Sequence, residues 1–217
     1  MKPIIINAEQ RTPEWFQSRL GRLTGSRAGD MLARIKTGEA AARRDLRLQL
    51  VCERLTGQMQ EDVFVNAAMQ RGCDLEPAAF AAYESLTGHV ARRTGFLQHP
   101  SLMAGCSVDG DVDDFAGIVE LKCPKSTTHY RYLKLKGGVP SEHLAQITHN
   151  LWVSGAEWCD FLSYDDRFPE GAQTYLVRVK REDVNIEAYE AEAVRFLAEV
   201  EADEADVTLR ASVAVPA

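Results

Sequence analysis

The sequence predicts a single α/β domain over residues 1–217, in which short strands alternate with amphipathic helices. Three observations support this prediction. A length of 217 residues is enough to bury a substantial core. A composition of 45% hydrophobic and 26% charged residues is ordinary for a soluble globular protein. The sequence has no internal repeat, low-complexity tract or linker-like segment that would divide it.

Apolar residues at helical spacing predict four helices early in the chain, at about residues 12–20, 24–35, 41–56 and 64–86. Thr12 is placed to cap the first helix, and Pro13 takes its first helical position. Gly72 and Pro77 lie inside the fourth helix. They predict a break or kink there, because proline has no backbone N–H to donate.

The second half of the chain is predicted to contain both strands and helices. Apolar runs bounded by turn formers indicate strands at about 101–108, 116–123, 158–164 and 174–180. Helices are predicted at about 126–136, 141–154 and 183–205. The helix at 141–154 has a core stripe and a polar stripe, the latter formed by His143, Gln146 and Asn150. The last helix is strongly acidic and is interpreted as a solvated cover.

Charge and cysteine content exclude several classes of protein. The net charge of −7 is unevenly distributed, with +5 in residues 1–60 and −12 in the remainder. A local basic patch for an anionic partner therefore remains open. The five cysteines form no C-x-x-C pair, which argues against a disulfide scaffold and against a zinc or iron–sulfur site. No apolar run approaches membrane-spanning length, so we expect a cytoplasmic protein without a membrane partner.

The stretch from Gly105 to Pro124 holds the strongest chemical signal. It is predicted to form two short strands joined by a tight acidic turn. Because side chains alternate along a strand, Glu120 and Lys122 point to the same face of an otherwise apolar segment. Buried charges need compensation, and a metal ion bound by Glu120 and Asp109 would supply it. Oxygen ligands of this kind suit magnesium or manganese.

A second signal lies near the N-terminus. The predicted start of a helix at Thr24-Gly25-Ser26 offers free backbone N–H groups to an anion. Arg19, Arg22, Ser26 and Arg27 lie close to it in sequence. Guanidinium groups, hydroxyls and a helix N-terminus together favour a terminal phosphate.

Several motifs, in order, resemble those of the phage lambda exonuclease family, also called YqaJ-type viral recombinases. They are W-F-Q-S-R-L-G at 15–21, T-G-S at 24–26, R-G-C-D-L-E at 71–76, C-S-V-D-G at 106–110, E-L-K-C-P at 120–124 and A-Q at 145–146. The resemblance extends from about Glu14 to Val179. It implies a restriction-endonuclease-like core, in which a central, mixed and twisted β-sheet is flanked by α-helices.

The resemblance also implies an activity and a set of roles. The activity is Mg²⁺-dependent exonuclease digestion of one strand of duplex DNA from its 5′ end, with two metal ions and with Mn²⁺ as an alternative. Metal ligands would be Asp109, Glu120 and the carbonyl of Leu121, with Glu76 at the second ion or aligning the water, and Lys122 would assist nucleophilic attack. The 5′-terminal phosphate would be held by Arg19, Ser26, Ser107 and Gln146.

Relatives of this kind form a trimeric ring around the duplex, whose channel the basic residues here would line. They are encoded by phages or prophages and act in the bacterial host with a single-strand annealing protein. The resemblance therefore implies a homotrimer, double-stranded DNA ends and an annealing protein as partners, and a role in recombination.

Four further residues have open interpretations. Met69 occupies the position of an apolar wedge at the end base pair, with a core methionine as the alternative. Lys36 is either a contact to the DNA backbone or minor groove, or a solvated lysine. His129 and Tyr130 either lie near the site or are core residues, the commoner role of aromatic residues at helical spacing, and they stay outside the catalytic set. Two alternative functions also remain: a structure- or site-specific endonuclease, and a non-catalytic module that binds DNA ends.

Overall fold

Two mixed four-stranded sheets and the helices around them form the fold in the computed structural model, which describes residues 2–60 and 67–213. The strands are β1 (Ile4–Ile6), β2 (Leu23–Thr24), β3 (Phe96–Gln98), β4 (Ala104–Cys106), β5 (Gly110–Val112), β6 (Gly117–Lys122), β7 (Trp158–Tyr164) and β8 (Thr174–Lys180). The helices are α1 (Pro13–Arg19), α2 (Ala28–Met31), α3 (Ala41–Thr56), α4 (Ala67–Thr87), α5 (Ser126–Leu133), α6 (Ser141–Ser154) and α7 (Ile186–Val213). Two 3₁₀ turns cover Gly25–Arg27 and Arg181–Asp183.

Both sheets combine parallel and antiparallel pairs. The first has the order β1-β3-β4-β2, in which only β2 and β4 run parallel. The second has the order β5-β6-β7-β8, with a parallel pair β6–β7 at its centre and antiparallel pairs on both sides. The fold class is therefore the predicted one, a mixed β-structure flanked by helices, although the strands divide into two sheets.

The central strand β6 is buried on both faces, as its apolar sequence predicts. Ile118 packs into the larger core, which also takes in residues of α2, α3, α6 and α7. Val119 and Leu121 face the other way and pack into a smaller core with α4. Since side chains alternate along the strand, Glu120 points toward the side of the larger core.

Most of the predicted elements are present, several with the predicted bounds. The helices at 41–56 and 141–154 and the strands at 158–164 and 174–180 are confirmed. The helix predicted at 24–35 is confirmed only in part, since a 3₁₀ turn at Gly25–Arg27 continues into α2 at Ala28–Met31, whereas Thr24 belongs to β2. The predicted strand at 101–108 is reduced to three residues of β4.

Of the predicted break or kink in α4, the break is absent, since the helix continues through Gly72 and Pro77, and the kink stays a prediction. Tertiary contacts on both sides of Pro77 offset the missing hydrogen bond. Arg71 pairs with Asp165 at 3.1 Å and with Asp166 at 2.6 Å, and Phe80 is buried in the smaller core. The first residues of the predicted helix, 64–66, lie outside the described residues.

The last helix is longer than predicted, and only part of its acidic surface is a solvated cover, since Glu201 and Asp206 are exposed. Three other carboxylates pair with arginines of α3: Arg43 contacts Glu199 at 2.7 Å, Arg54 contacts Glu204 at 3.4 Å, and Arg47 contacts Asp203. The basic charge of α3 is therefore neutralised within the chain. No helix in the part of the chain that the structure describes is long and apolar enough to cross a membrane.

Candidate active site

The site is built around β6 and the residue that precedes β5. Antiparallel pairing of Gly110 with Val119 brings Asp109 beside the centre of β6. The backbone N–H of Asp109 donates to the Val119 carbonyl at 3.1 Å. The backbone N–H of Leu121 in turn donates to Asp109 Oδ2 at 2.6 Å. The N–H and C=O of one strand residue point to the same edge, so the Leu121 carbonyl also lies on the side of Asp109.

Glu120 is held inside the protein by three donors. Its side chain is only 2% exposed, and Lys122 Nζ, two residues along the same face, donates to Oε1. Two side chains of α6 complete the set, with Gln146 Nε2 at 2.5 Å from Oε1 and Asn150 Nδ2 at 2.9 Å from Oε2. The predicted pairing of Glu120 and Lys122 on one face is therefore present, and α6 fixes the orientation of the carboxylate.

Negative charge is in excess at this site. Burial and the neighbouring charge of Glu120 raise the pKa of Asp109 to about 7, and Glu76 adds a smaller effect. Burial lowers the pKa of Lys122, but Glu120 and Asp109 outweigh it and raise the pKa to about 12. Lys122 is thus a permanent cation that neutralises one of the two nearby carboxylates. The remaining carboxylate favours a further cation.

The donor set fits a hard divalent ion. Asp109, Glu120 and the Leu121 carbonyl are all oxygen ligands, and each carboxylate keeps lone pairs beyond the hydrogen bonds it accepts. Among the described residues no three His, Cys, Asp or Glu side chains lie close enough to form a ready-made cluster. An ion here would therefore keep several water ligands, as Mg²⁺ usually does.

Glu76 lies across a cleft from Asp109 rather than in a cluster with it. Both line a cavity of about 450 Å³ between the β1–α1 loop and residues 93–95. The carboxylate of Glu76 is paired with two arginines, at 3.6 Å from Arg11 and 3.1 Å from Arg93. The structure places Glu76 at the predicted site, but with cationic partners that the sequence did not indicate.

Two of the residues predicted to hold a phosphate, Arg19 and Ser107, are linked through Trp15. The Arg19 guanidinium stacks at 4.3 Å from the centre of the Trp15 ring, and Trp15 Nε1 donates to Ser107 Oγ at 2.8 Å. Gly21, with φ of +65°, lets the chain turn directly after α1. A Cβ at this position would lie 2.6 Å from Arg54 Cγ, so α1 packs closely against α3.

The 3₁₀ turn that includes Ser26 packs against α6. A Cβ on Gly25 would lie 2.3 Å from Asn150 Oδ1, so only glycine allows this approach. Ser26 itself is exposed, with its Oγ 3.3 Å from Thr24 Oγ1. Gln146, predicted to bind phosphate, donates instead to Glu120. Gln146, which was predicted to bind the 5′-phosphate, thus contacts a residue that was predicted to bind metal.

Three side chains near the site were not predicted to act in it. Asn150 was recognised only as part of a polar stripe on α6, and that stripe was the available signal. Arg11 and Arg93 lie in no motif, and Arg11 has a φ of +72° in the loop before α1. Their role depends on the approach of two loops that are distant in sequence.

Four further residues had open interpretations in the sequence: Lys36, Met69, His129 and Tyr130. Lys36 is exposed, and the Met69 side chain lies outside the described residues, so neither interpretation is resolved. His129 is a buried core residue, as interpreted from the sequence, with ring nitrogens 2.8 Å from Ser163 Oγ and 2.9 Å from the Ala172 carbonyl. The core interpretation of Tyr130 is wrong, since its ring is exposed on α5 and lies under Lys134. The ring points outward because Tyr132, two residues on, takes the inward face.

The fold and the site define a mixed α/β protein of the restriction-endonuclease-like class, with a carboxylate and a lysine on its central strand and a second carboxylate, Asp109, beside that strand. The chain belongs to the YqaJ-like viral recombinase domain family, whose model matches residues 14–157. A search of curated proteins found no match.

Solved structures agree with this family. The chain is 39% identical to an alkaline exonuclease, LHK-Exo, from Laribacter hongkongensis, over 94% of this chain and 100% of that chain, with a TM-score of 0.84. A structure of LHK-Exo in complex with dAMP matches with the same values. A phage related exonuclease from Haemophilus somnus 129PT shares the fold, with a TM-score of 0.67 at 12% identity over 86% of this chain and 96% of that chain.

Proposed function

We propose that this protein is a Mg²⁺-dependent 5′-to-3′ exonuclease. It degrades one strand of linear double-stranded DNA from a 5′-phosphorylated end and leaves a 3′ single-stranded tail for phage-type homologous recombination. The observation that carries the proposal is the arrangement of Asp109, Glu120 and Lys122 around one buried strand. The 39% identity to an alkaline exonuclease over nearly the whole chain supports it.

The chemistry follows from the charges and donors of the site. Mg²⁺, held by Asp109, Glu120 and the Leu121 carbonyl, would polarise the phosphate and lower the pKa of a bound water. Lys122 carries a proton throughout, so its Nζ stabilises the negative charge that develops on the phosphate. Gln146 and Asn150 keep the Glu120 carboxylate in one orientation during this step.

Glu76 serves a second ion or aligns the attacking water in this proposal. Its carboxylate faces the same cleft as Asp109, which supports either role.

The end of the duplex is held by Arg19, Ser26 and Ser107, with Gln146 between them and the cutting residues. Trp15 fixes two of these groups relative to each other, since it stacks on Arg19 and donates to Ser107. The complex of the relative with dAMP is consistent with this role, because a deoxynucleoside monophosphate is the product of exonuclease digestion. Met69 as a wedge and Lys36 as a backbone contact complete the proposal.

The biological setting remains a proposal from resemblance. The protein would act as a homotrimeric ring in the cytoplasm of a bacterial host, encoded by a phage or prophage, and would work with a single-strand annealing protein. Basic residues that line such a channel would come from outside the α3 face that contacts α7, because Arg43 and Arg47 are paired there with carboxylates.

Time-resolved digestion of linear duplex DNA, labelled at either end, tests the proposal. With Mg²⁺ present, label at the 5′ end should be released first, as mononucleotides, and the complementary strand should remain intact. Release from the 3′ end would contradict the polarity. Cutting of covalently closed circular DNA would favour the endonuclease, and binding without hydrolysis would favour the non-catalytic module.

A further inference from the structure

The cleft shared by Glu76 and Asp109 holds two arginines that the proposed reaction does not yet use. Arg11 comes from the loop before α1, and Arg93 from the segment before β3. Their guanidinium groups approach different oxygens of Glu76, Arg11 at Oε2 and Arg93 at Oε1. Both side chains nevertheless remain largely open to solvent, 57% and 62% exposed, whereas Glu76 is 22% exposed. The two cations therefore flank the carboxylate and face outward.

Both arginines are held at the cleft by the fold. Gln10 Nε2 donates to the Val108 carbonyl at 3.2 Å, which ties the loop of Arg11 to the residue before Asp109. Arg93 stacks over the Phe80 ring at 5.0 Å, one turn along α4 from Glu76. The two segments also contact each other, because a Cβ on Gly95 would lie 2.0 Å from the Ile6 carbonyl oxygen. Packing and a hydrogen bond therefore hold the cleft together, in addition to the ion pairs of Glu76.

The charge of the cleft depends on whether a divalent ion is bound. Its lining contains three carboxylates, those of Glu9, Glu76 and Asp109, against the two guanidinium groups. The formal charge is therefore −1 without an ion and becomes positive once a divalent cation lies between the carboxylates. In that state the positive charge of the ion and the two arginines exceeds the negative charge of the three carboxylates. Guanidinium groups bind phosphate oxygens in a bidentate manner, which makes a phosphodiester their natural ligand.

We infer that Arg11 and Arg93 bind two backbone phosphates of the cleaved strand, on either side of the bond that is broken. This site is separate from the Arg19, Ser26 and Ser107 group, which faces the 5′ end. The inference rests on the proposed nuclease function. In the absence of substrate the arginines neutralise Glu76, and with ion and substrate present they contact the phosphates. They position the strand and take no part in the chemical step.

Equilibrium binding of a 5′-phosphorylated duplex tests the inference separately from catalysis. The experiment uses the Lys122→Met variant with Mg²⁺, which keeps the proposed metal ligands and leaves the DNA intact, and adds Arg11→Gln or Arg93→Gln. Each lost phosphate contact should reduce the slope of log K against log[salt] by about 0.9 and weaken binding about fivefold at 0.15 M salt. The double variant should be about 25-fold weaker. Arg195→Gln is the matched control, an arginine 61% exposed and paired with Glu192 on α7.

Two further variants show that the effect is local. Arg93→Lys keeps the charge and should keep most of the salt slope. Glu76→Gln, measured in chelator, should tighten binding because it releases both guanidinium groups, and this gain should vanish in the Arg11→Gln, Arg93→Gln background.

Salt slopes and affinities of Arg11→Gln and Arg93→Gln equal to those of Arg195→Gln would overturn the inference and leave the arginines only as partners of Glu76. Failure of the Lys122→Met parent to bind duplex at all, together with no digestion by the unmodified chain, would instead remove the proposed function. Melting temperatures of all variants separate these results from loss of folding.

Discussion

Asn150 Nδ2 lies 2.9 Å from Glu120 Oε2 and fixes the second oxygen of a carboxylate whose first oxygen is held by Gln146 and Lys122. Both residues of this contact are almost fully buried. Asn150 Oδ1 has no hydrogen-bond partner among the described residues. It lies against Gly25, so closely that a Cβ on residue 25 would clash with it. The side chain of Asn150 therefore contacts both the 3₁₀ turn at Gly25–Arg27 and Glu120 on β6.

Asn150→Asp keeps the shape of the side chain, removes its donor and adds a negative charge beside Glu120. We expect a 10- to 100-fold loss of nuclease activity, roughly the effect of losing a residue that supports a metal ligand. The Mg²⁺ concentration for half-maximal rate should also change, which a purely structural role would not cause. Thr148→Val is a suitable control, because Thr148 Oγ1 donates its hydrogen bond to the Leu144 carbonyl of its own helix, at 2.8 Å. Unchanged rate and Mg²⁺ dependence would contradict this role.

Glu120 is buried and forms an ion pair with the partly buried Lys122, so removing one partner leaves the other uncompensated. Glu120→Gln and Lys122→Met should each abolish digestion and each lower the free energy of unfolding by about 3 kcal/mol. The double variant should recover much of that stability while staying inactive. Urea unfolding monitored by circular dichroism, beside the digestion assay, measures both quantities. Substantial nuclease activity in either single variant would exclude the catalytic assignment.

Arg19 is stacked on Trp15, whose ring N–H donates to Ser107, so the predicted phosphate pocket depends on one indole. The unmodified protein should digest 5′-phosphorylated ends faster than 5′-hydroxyl ends. Arg19→Ala should remove this preference, and Trp15→Phe, which keeps an aromatic ring but loses the donor, should reduce it. Initial rates on paired substrates that differ only in the 5′ group measure the ratio. Equal rates on the two substrates with the unmodified protein would remove the pocket role of Arg19.

The geometry of the residues proposed to cut DNA could be predicted from the sequence because their signal is local. Alternation along one strand places Glu120 and Lys122 on the same face, and a hairpin returns the chain to Asp109. The shared face of Gln146 and Asn150 was likewise predictable from helical spacing. That this face meets Glu120 was not, because it depends on how α6 packs across β6 in three dimensions.

Short strands and loop residues account for most of what the sequence did not reveal. β1 and β3 have three residues each, too few for a clear alternation, and they exist because each pairs with a distant strand. The helix predicted at 24–35 begins later than predicted for a similar reason, since Leu23 and Thr24 pair with β4. Arg11 and Arg93 both reach Glu76 because the loops that carry them pack together. No local sequence pattern indicates this packing.

The ion pairs between α3 and α7 are expected to contribute to the free energy of unfolding and not to DNA binding. Arg43→Gln with Arg47→Gln removes contacts to Glu39, Glu199 and Asp203. We expect a loss of unfolding free energy on the order of 1 kcal/mol per arginine, smaller at high salt because these pairs are partly exposed. Urea unfolding at two salt concentrations measures it, with Arg210→Gln on α7 as the control. A large loss of duplex affinity in the double variant would show instead that these arginines contact DNA.

His149 should make the protein sensitive to mild acid. It is fully buried between Tyr189 and β4, with ring nitrogens 2.7 Å from the Tyr189 hydroxyl and 2.9 Å from the Gly105 carbonyl. One nitrogen accepts and the other donates, so the neutral ring satisfies both contacts. Burial accordingly lowers the pKa of His149 to about 4.

The direction of the pH effect follows from this shift. Between about pH 6.5 and pH 4 the unfolded chain binds a proton at His149 that the folded chain does not, so stability falls as the pH falls through this window. Between pH 7.5 and pH 5 this single group should cost on the order of 2 kcal/mol. His149→Gln keeps one donor and one acceptor without titrating, so its stability should fall less over the same range. Melting temperatures or urea midpoints of both proteins at the two pH values provide the comparison, and parallel losses would show that other groups govern the acid sensitivity.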